Sequence, residues 1–368
     1  MHPPTTMRAV VLTGHGGLDK LEYREDWPTP KPGPDEVIIQ VRACGLNNTD
    51  INTRAAWYSK TVTEAIGAGG TSGFAEADSN HGSWSTNPLT FPRIQGADTV
   101  GYIVSTGHRV APSRLGERVI VNPWILNSND WLNPINARYF GSEIDGGFAE
   151  YSCIRSCNAI KIDTELSDTE LATFPCAMTT AENLIARTKL KAGETVIITG
   201  ASGGVGTAAI QLCRLRRAKI IAIASSEKAP LLTKLGADIV IDRNDPNLQN
   251  AILTAASGPV EVALDVVGGD IFMPLLNSLR HGGRYSSSGA IAGPTVNFDL
   301  RQLIYKDLQL TGATIVRPHI FNRLVKLIED GQLKPTLAKQ FPLRELALAQ
   351  ETFMAKKHVG NIVVTIPG

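Results

Sequence analysis

Two stretches of the chain combine residue types and spacings that could support chemistry. The first is Thr195-Val-Ile-Ile-Thr-Gly-Ala-Ser-Gly-Gly-Val-Gly206. Ala201, Gly203 and Gly206 fall on the pattern G-x-G-x-x-G, with alanine in the first place. Small side chains let a backbone approach a pyrophosphate, and the N–H groups and positive dipole end of a following helix bind it. Ala201, Ser202, Gly203, Gly204, Val205 and Gly206 are therefore the candidate phosphate loop. A lone match is weak. Here an apolar run precedes it and the helix-like Thr207-Ala-Ala-Ile-Gln-Leu-Cys-Arg-Leu follows, the context a dinucleotide site requires. The competing reading is a tight strand-to-helix turn that binds nothing. The second stretch is Cys44-Gly-Leu-Asn-Asn-Thr-Asp50, which ends a strand-like run in amide, hydroxyl and carboxylate groups.

The strand after the phosphate loop is Lys219-Ile-Ile-Ala-Ile-Ala-Ser-Ser-Glu-Lys228. An NAD site usually places an acidic residue near the end of this strand to hold the ribose 2′-hydroxyl. Ala224 and Ser225 stand there, and neither is acidic. Ser225 and Ser226 can instead donate to a 2′-phosphate, and Lys228 can supply charge. Charge-assisted hydrogen bonds are worth roughly 1.5–3 kcal/mol each, enough to set the preference. NADP(H) is the expected cofactor. Glu227 argues the other way and is placed at the start of the next helix, facing water.

These residues need elements to hold them. Met7-Arg-Ala-Val-Val-Leu and Asp35–Ala43 read as strands, and the whole of 7–54 reads as short strands with a proline-rich connection, Trp27–Pro34. Residues 55–90 are dense in Gly, Ser, Thr and Asn with scattered aromatics, including Trp57 and Tyr58, and have no clear period. Such a loop is a lid or a surface excursion. Strand signals return at 91–101 and 116–121, and a polar lobe at 122–145 contains Trp124 and Trp131. Up to about residue 160 the chain reads as a β-barrel-like domain. Ser167 caps a helix, and Pro175–Arg187 is another. Strands and helices then alternate to about residue 288, the signature of a doubly wound parallel sheet. A strand near Leu308–Thr311, two helices (His319–Asp330 and Leu343–Lys356) and a last strand, Asn361–Ile366, complete the chain.

Bulk properties narrow the function. The chain has 368 residues, 43% hydrophobic and 19% charged, with net charge +1, which suits two globular domains and points to neither nucleic acid nor an anionic membrane as partner. No apolar run approaches the ~18 residues of a membrane span. The first residues, Met1-His-Pro-Pro-Thr-Thr, have no signal-peptide pattern, and the five cysteines lack disulfide-framework spacing, so a reducing cytoplasm is the expected location. The seven histidines are scattered without metal spacing, His81 in the 55–90 loop among them. Cys153 and Cys157 read as structural thiols carried on a strand.

Six segments together resemble the medium-chain dehydrogenase/reductase superfamily: Gly116-Glu-Arg-Val, Gly146-Gly-Phe-Ala-Glu-Tyr, Ala192-Gly-Glu-Thr-Val, Gly200–Gly206, Lys234-Leu-Gly-Ala-Asp238 and Asp265-Val-Val-Gly268. Their order and spacing match over nearly the whole chain except 55–90. The resemblance implies an α/β protein. A GroES-like β-barrel catalytic domain would comprise residues 1–170 and 315–368, and a Rossmann cofactor domain residues 171–314. It also implies a small-molecule substrate and a homodimer.

Zinc-dependent members of this superfamily carry C-x-[ST]-D, a G-H-E motif and a further cysteine. Here those places read Asn47-Asn48-Thr49-Asp50, Gly96-Ala97-Asp98 and Cys176. Catalytic zinc needs three protein ligands and an open position, and one cysteine cannot hold it. The 122–145 lobe, where a four-cysteine structural zinc would lie, contains no cysteine. No metal is expected. Gly45-Leu-Asn47-Asn-Thr-Asp50 resembles instead the G-x-N-x-x-D stretch of zinc-free quinone oxidoreductases, and Arg54 matches their basic position, although Asn52 stands where an aromatic is usual.

Without a Lewis acid, reduction favours an acceptor that is already activated, a quinone or an enone. Asn47 and Thr49 could donate to the carbonyl oxygen as charge develops. Asp50 orients the loop, and the resemblance implies that Cys176 sits near the nicotinamide, as a wall or a residual ligand. By the resemblance, Val267, Gly268, Ser288, Gly289 and Ala290 border the nicotinamide ribose and carboxamide, and Asn361 lies near the cofactor; Thr180 is grouped with them. Two alternatives stand beside the reductase: an alcohol dehydrogenase or carbonyl reductase using Thr49 as proton relay, and a non-catalytic NADPH-binding protein.

Overall fold

The protein was described from a computed structural model, which covers residues 3–78, 83–85, 88–126, 133 and 137–367. His81 and Trp131 lie outside these residues. The chain divides into two units: Met1–Val62, Ala68–Cys176 and Arg317–Gly368 form one, and Thr63–Gly67 with Ala177–Val316 the other.

The first unit is built on the strand Glu36–Leu46, flanked by Asp98–Thr106, by Tyr151–Arg155 and by Asn361–Thr365, all antiparallel to it. Val37, Ile38, Ile39 and Val41 are all buried, so this strand is covered on both faces. One side packs with Ile103, Val119, Val121, Phe140 and Ile154. The C-terminal strand pairs Ile362 with Leu46 and Thr365 with Ala43, which places the end of the chain against the candidate site stretch. Leu337–Pro342, a strand not apparent from the sequence pattern, runs parallel to that last strand at the sheet edge.

Strand character does not run through to Arg54. Asn48–Arg54 is an α-helix, with Asn47 in extended backbone as its N-cap. An Asp three residues after an Asn is a helix-start pattern, and the Asp50 carboxylate accepts the N–H of Asn47 at 2.8 Å. The expected strand pair of thiols is also corrected: Cys153 is on a strand, whereas Cys157 is exposed in a 3-10 turn. In the 122–145 lobe, Trp124–Leu126 pairs antiparallel with Ala137–Tyr139.

The second unit is a six-stranded, all-parallel sheet. Its order across the sheet is Ile239–Asp242, Lys219–Ala224, Thr195–Ile198, Val260–Asp265, Leu279–Ser287, Gln309–Gly312. The strands read as near-continuous apolar runs because both faces are covered. Ile197, Ile221, Ile252, Val260, Leu275 and Leu276 form part of one core. Strand order reverses between Thr195–Ile198 and Val260–Asp265. A sheet of this kind opens a crevice at the carboxyl ends of those two strands, where dinucleotides bind. No helix among the described residues is long and apolar enough to cross a membrane.

Candidate functional site

The second unit holds the candidate phosphate loop at that reversal. The chain leaves Thr195–Ile198, turns through Thr199–Gly203, and enters the helix Gly204–Leu215 with Gly203 as N-cap. No side chain caps this helix, so its first N–H groups remain for an anion. Gly206 is required for packing: a Cβ there would lie 2.4 Å from the carbonyl oxygen of Gly200. A Cβ on Gly203 would meet nothing closer than 3.5 Å, which leaves the loop surface open on that side. Ala201 is buried, whereas Ser202, Gly204 and Val205 are half-buried.

Two neighbouring loops are tied to this one through Asp265. Its buried carboxylate accepts from the Thr199 hydroxyl at 2.5 Å, the Tyr285 hydroxyl at 2.6 Å and the Val267 N–H at 2.8 Å, and also from the Gly268 N–H. Ser288 N–H donates to the Asp265 carbonyl at 3.1 Å. Gly268 is left-handed, φ +63°, and a Cβ on it would lie 3.0 Å from the Cβ of Ala290. Val267, Gly268, Ser288, Gly289 and Ala290 thus form one packed rim. The Ser288 hydroxyl is buried and has no hydrogen-bond partner among the described residues. Thr180 is half-buried on the helix Pro175–Thr188.

Beyond the second strand, Ser225 donates to Glu227 at 3.3 Å, and Ser226 donates to Asp242. Glu227 is exposed in a 3-10 turn that precedes the helix Ala229–Leu235. Lys228 is buried along its stem, with Nζ 3.5 Å from the Ser202 hydroxyl. Burial, and then the nearby Arg243, push the Lys228 ammonium below its usual range. Sequence reasoning missed Arg243, because its N–H bond to the Ala224 carbonyl joins two strands distant in sequence. The glycine turn and uncapped helix suit a dinucleotide; Lys228 and Arg243 add positive charge nearby, which Asp242 and Glu227 reduce.

The first unit gathers the other candidates. Gly45 lies one residue before the end of the central strand, where a Cβ would lie 2.2 Å from the Ala172 carbonyl oxygen and 2.9 Å from the Asp98 Cβ. Asn47 follows the strand, and its amide donates to Asp98 at 3.0 Å. The other Asp98 oxygen accepts the Cys176 N–H at 2.7 Å. Asp50 accepts the Gly96 N–H at 3.2 Å as well as that of Asn47, while Gln95 donates to the Asp50 carbonyl. Asp50 and Asp98 are fully buried, and desolvation pushes both carboxyls up to about 7 despite these hydrogen bonds. Each also disfavours ionisation of nearby groups: both act on Cys44, and Asp50 acts on Asp98.

Tyr58 donates to Thr49 at 3.2 Å. Tyr139 interacts with Cys176, and burial holds its phenol well above the usual range. Neither tyrosine was identified from the sequence. Tyr58 sits in a stretch without periodicity, and the side-chain direction that brings it to Thr49 comes from a turn. Asn361, assigned to the cofactor, is buried in this unit at the start of the last strand; its N–H donates to the Thr336 carbonyl and its side chain accepts from the Thr336 hydroxyl. Among the described residues, no three His, Cys, Asp or Glu side chains stand together as a metal site.

Residues 33–164 match the family described as alcohol dehydrogenase GroES-like domain, and residues 204–330 the family described as zinc-binding dehydrogenase. A solved Sinorhizobium meliloti structure, provisionally described as an alcohol dehydrogenase, is 44% identical with a TM-score of 0.89, over 99% of this chain and 98% of that one. An acryloyl-coenzyme A reductase of Metallosphaera sedula is 27% identical over 98% of this chain and 100% of its own length. A quinone oxidoreductase of Homo sapiens is 26% identical over 95% of this chain and 94% of its own.

Proposed function

Because the chain belongs to the medium-chain dehydrogenase/reductase superfamily, we propose that it is a zinc-independent, NADP(H)-dependent reductase of quinones or α,β-unsaturated carbonyl compounds. It is an oxidoreductase of a family that uses nicotinamide cofactors. The observation that carries the finer reading is the Asn47–Asp98 hydrogen bond, with Asp98 also held by the Cys176 N–H. At the first place where zinc-dependent relatives carry a ligand, this chain has the Asn47 amide, engaged with the neighbouring Asp98 carboxyl. An amide is a poor zinc ligand, and Ala97 offers none.

When bound, the cofactor supplies the hydride. Residues 201–206 hold its pyrophosphate, with Thr180, Val267, Gly268, Ser288, Gly289, Ala290 and Asn361 at its nicotinamide half. Lys228 and Arg243, with Ser225 and Ser226, favour a 2′-phosphate. Thr49 and Asn47 present donors to the substrate oxygen, Asp50 holds the start of their helix, and Cys176 walls the pocket. Relatives named acryloyl-coenzyme A reductase and quinone oxidoreductase support an activated acceptor.

The alternative, an alcohol dehydrogenase, is favoured by the Sinorhizobium meliloti structure. Elemental analysis combined with cofactor oxidation separates the two. Less than a tenth of a zinc per chain and NADPH oxidation by a quinone or enone are expected. Stoichiometric zinc with alcohol oxidation would sink the proposal.

A further inference from the structure

Lys356 occupies a backbone position that suits glycine. The helix Leu346–Met354 ends with Ala355 as its C-cap, and the next residue, Lys356, is left-handed at φ 53°. Glycine takes that place most easily, because it has no Cβ to crowd the carbonyl. The lysine side chain runs back over the protein and the residue is half-buried. Its Nζ stands 3.9 Å from the centre of the Phe353 ring and donates to Asn48 Oδ1 at 3.1 Å, across 308 positions of sequence.

Asn48 is the first residue of the site helix Asn48–Arg54, between Asn47 and Thr49. The last strand pairs Ile362 with Leu46, which brings the turn after Ala355 alongside that helix start. The ring face and the amide oxygen together fix where the ammonium points. Because Asn48 Oδ1 is committed to Lys356, its amide nitrogen is the end left to donate, and it has no hydrogen-bond partner among the described residues. An ammonium and an amide N–H thus lie side by side, next to the two donors assigned above to the substrate oxygen.

Left-handed lysine carries a backbone cost that glycine would not, and such outliers gather at functional sites. What lysine adds over glycine is one positive charge. We propose that Lys356, with Asn48 beside it, is an anchor for a carboxylate carried by the substrate. The two oxygens of a carboxylate match the two donors, one of them charged. The inference rests on the reductase function proposed above for the reacting carbonyl and adds a second recognition element, so that the substrate is an acceptor bearing an acid group.

The test uses the purified full chain with NADPH and a matched pair of acceptors, trans-4-oxo-2-pentenoic acid and its methyl ester. The wild type is expected to prefer the acid. Lys356→Gly suits the left-handed backbone and removes only the ammonium-bearing side chain. It is expected to lower the ratio of kcat/KM for acid over ester about tenfold to a hundredfold, the loss of one charge-assisted hydrogen bond. Asn48→Ala should lower the same ratio, and Lys356→Arg should keep the preference for the acid. An unchanged ratio in Lys356→Gly would overturn the anchor and leave the reductase reading intact. Equal losses for the two acceptors would mark a structural lysine and overturn it as well. Weaker NADPH binding with an unchanged ratio would place the ammonium on the cofactor, which also overturns it. A wild type that reduces neither acceptor would sink the reductase reading. Calorimetric binding of the saturated keto acid 4-oxopentanoate needs no turnover and then decides the anchor separately: affinity lost in Lys356→Gly would uphold it, and equal affinity would overturn it.

Discussion

The Asn47 amide donates to the Asp98 carboxyl at 3.0 Å, joining two residues that lie fifty-one positions apart. Asp98 is fully buried and has no cation beside it among the described contacts. Only amide donors compensate its removal from water, and the nearby Asp50 further disfavours its ionisation. The pair is consequently a polar core at the end of the central strand that is neutral below about pH 7.

That geometry predicts a pH dependence. Asp50 and Asp98 are raised to about 7 in the folded chain, against about 4 when unfolded. A raised carboxyl binds more protons folded than unfolded, so its contribution to stability is fully present below about pH 4 and is lost as pH rises through about 7. Melting temperature should therefore decline from about pH 4 to about pH 7 and level off above, and Asp98→Asn should make that decline shallower. An unchanged slope in differential scanning fluorimetry would show that Asp98 does not titrate in this range.

Cofactor selectivity should depend on Lys228 and Arg243. Removing either by Lys228→Ala or Arg243→Ala is expected to weaken NADPH binding by about tenfold to a hundredfold, the worth of one charge-assisted hydrogen bond. NADH affinity should hardly change. Fluorescence titration with both cofactors checks this, and equal losses for the two would rule out a 2′-phosphate role.

Tyr285 and Asp265 form the joint that holds the rim proposed for the cofactor. Tyr285→Phe takes one of several donors from a buried carboxylate, which costs about 1–3 kcal/mol. Urea unfolding should show that loss, together with weaker dinucleotide binding. A variant as stable as the wild type would mean that water replaces the phenol.

Arg54 is a buried cation without a carboxylate in hydrogen-bond contact among the described residues. Its guanidinium donates to Gln350 at 2.7 Å, to the Gly16 carbonyl at 2.8 Å and to the Gly70 carbonyl at 2.5 Å. It pins two loops and the last helix to the site helix. Lysine keeps the charge but not the planar fork. Arg54→Lys is thus expected to lose about 2 kcal/mol or more of stability, read by the same unfolding measurement.

The dinucleotide unit was largely legible in the sequence because its determinants are local. Apolar strands, a small-residue turn and a helix each declare themselves within a few residues, and parallel order follows from their alternation. The contact between Asp50 and Asn47 is equally local, since the two are three residues apart. The helix Asn48–Arg54 was not legible, because a short helix following a strand leaves little periodicity to read. Arg243, Tyr58 and the Asn47–Asp98 bond were decided only by tertiary structure. Each depends on backbone reversals that bring distant residues within 3–4 Å, and on burial that sets whether a carboxyl, phenol or ammonium keeps its ordinary charge. The sequence by itself determined which groups the chain possesses and the frame that carries them. The folded structure decided which of those groups face one another, because hydrogen bonding and desolvation act through space and not along the chain.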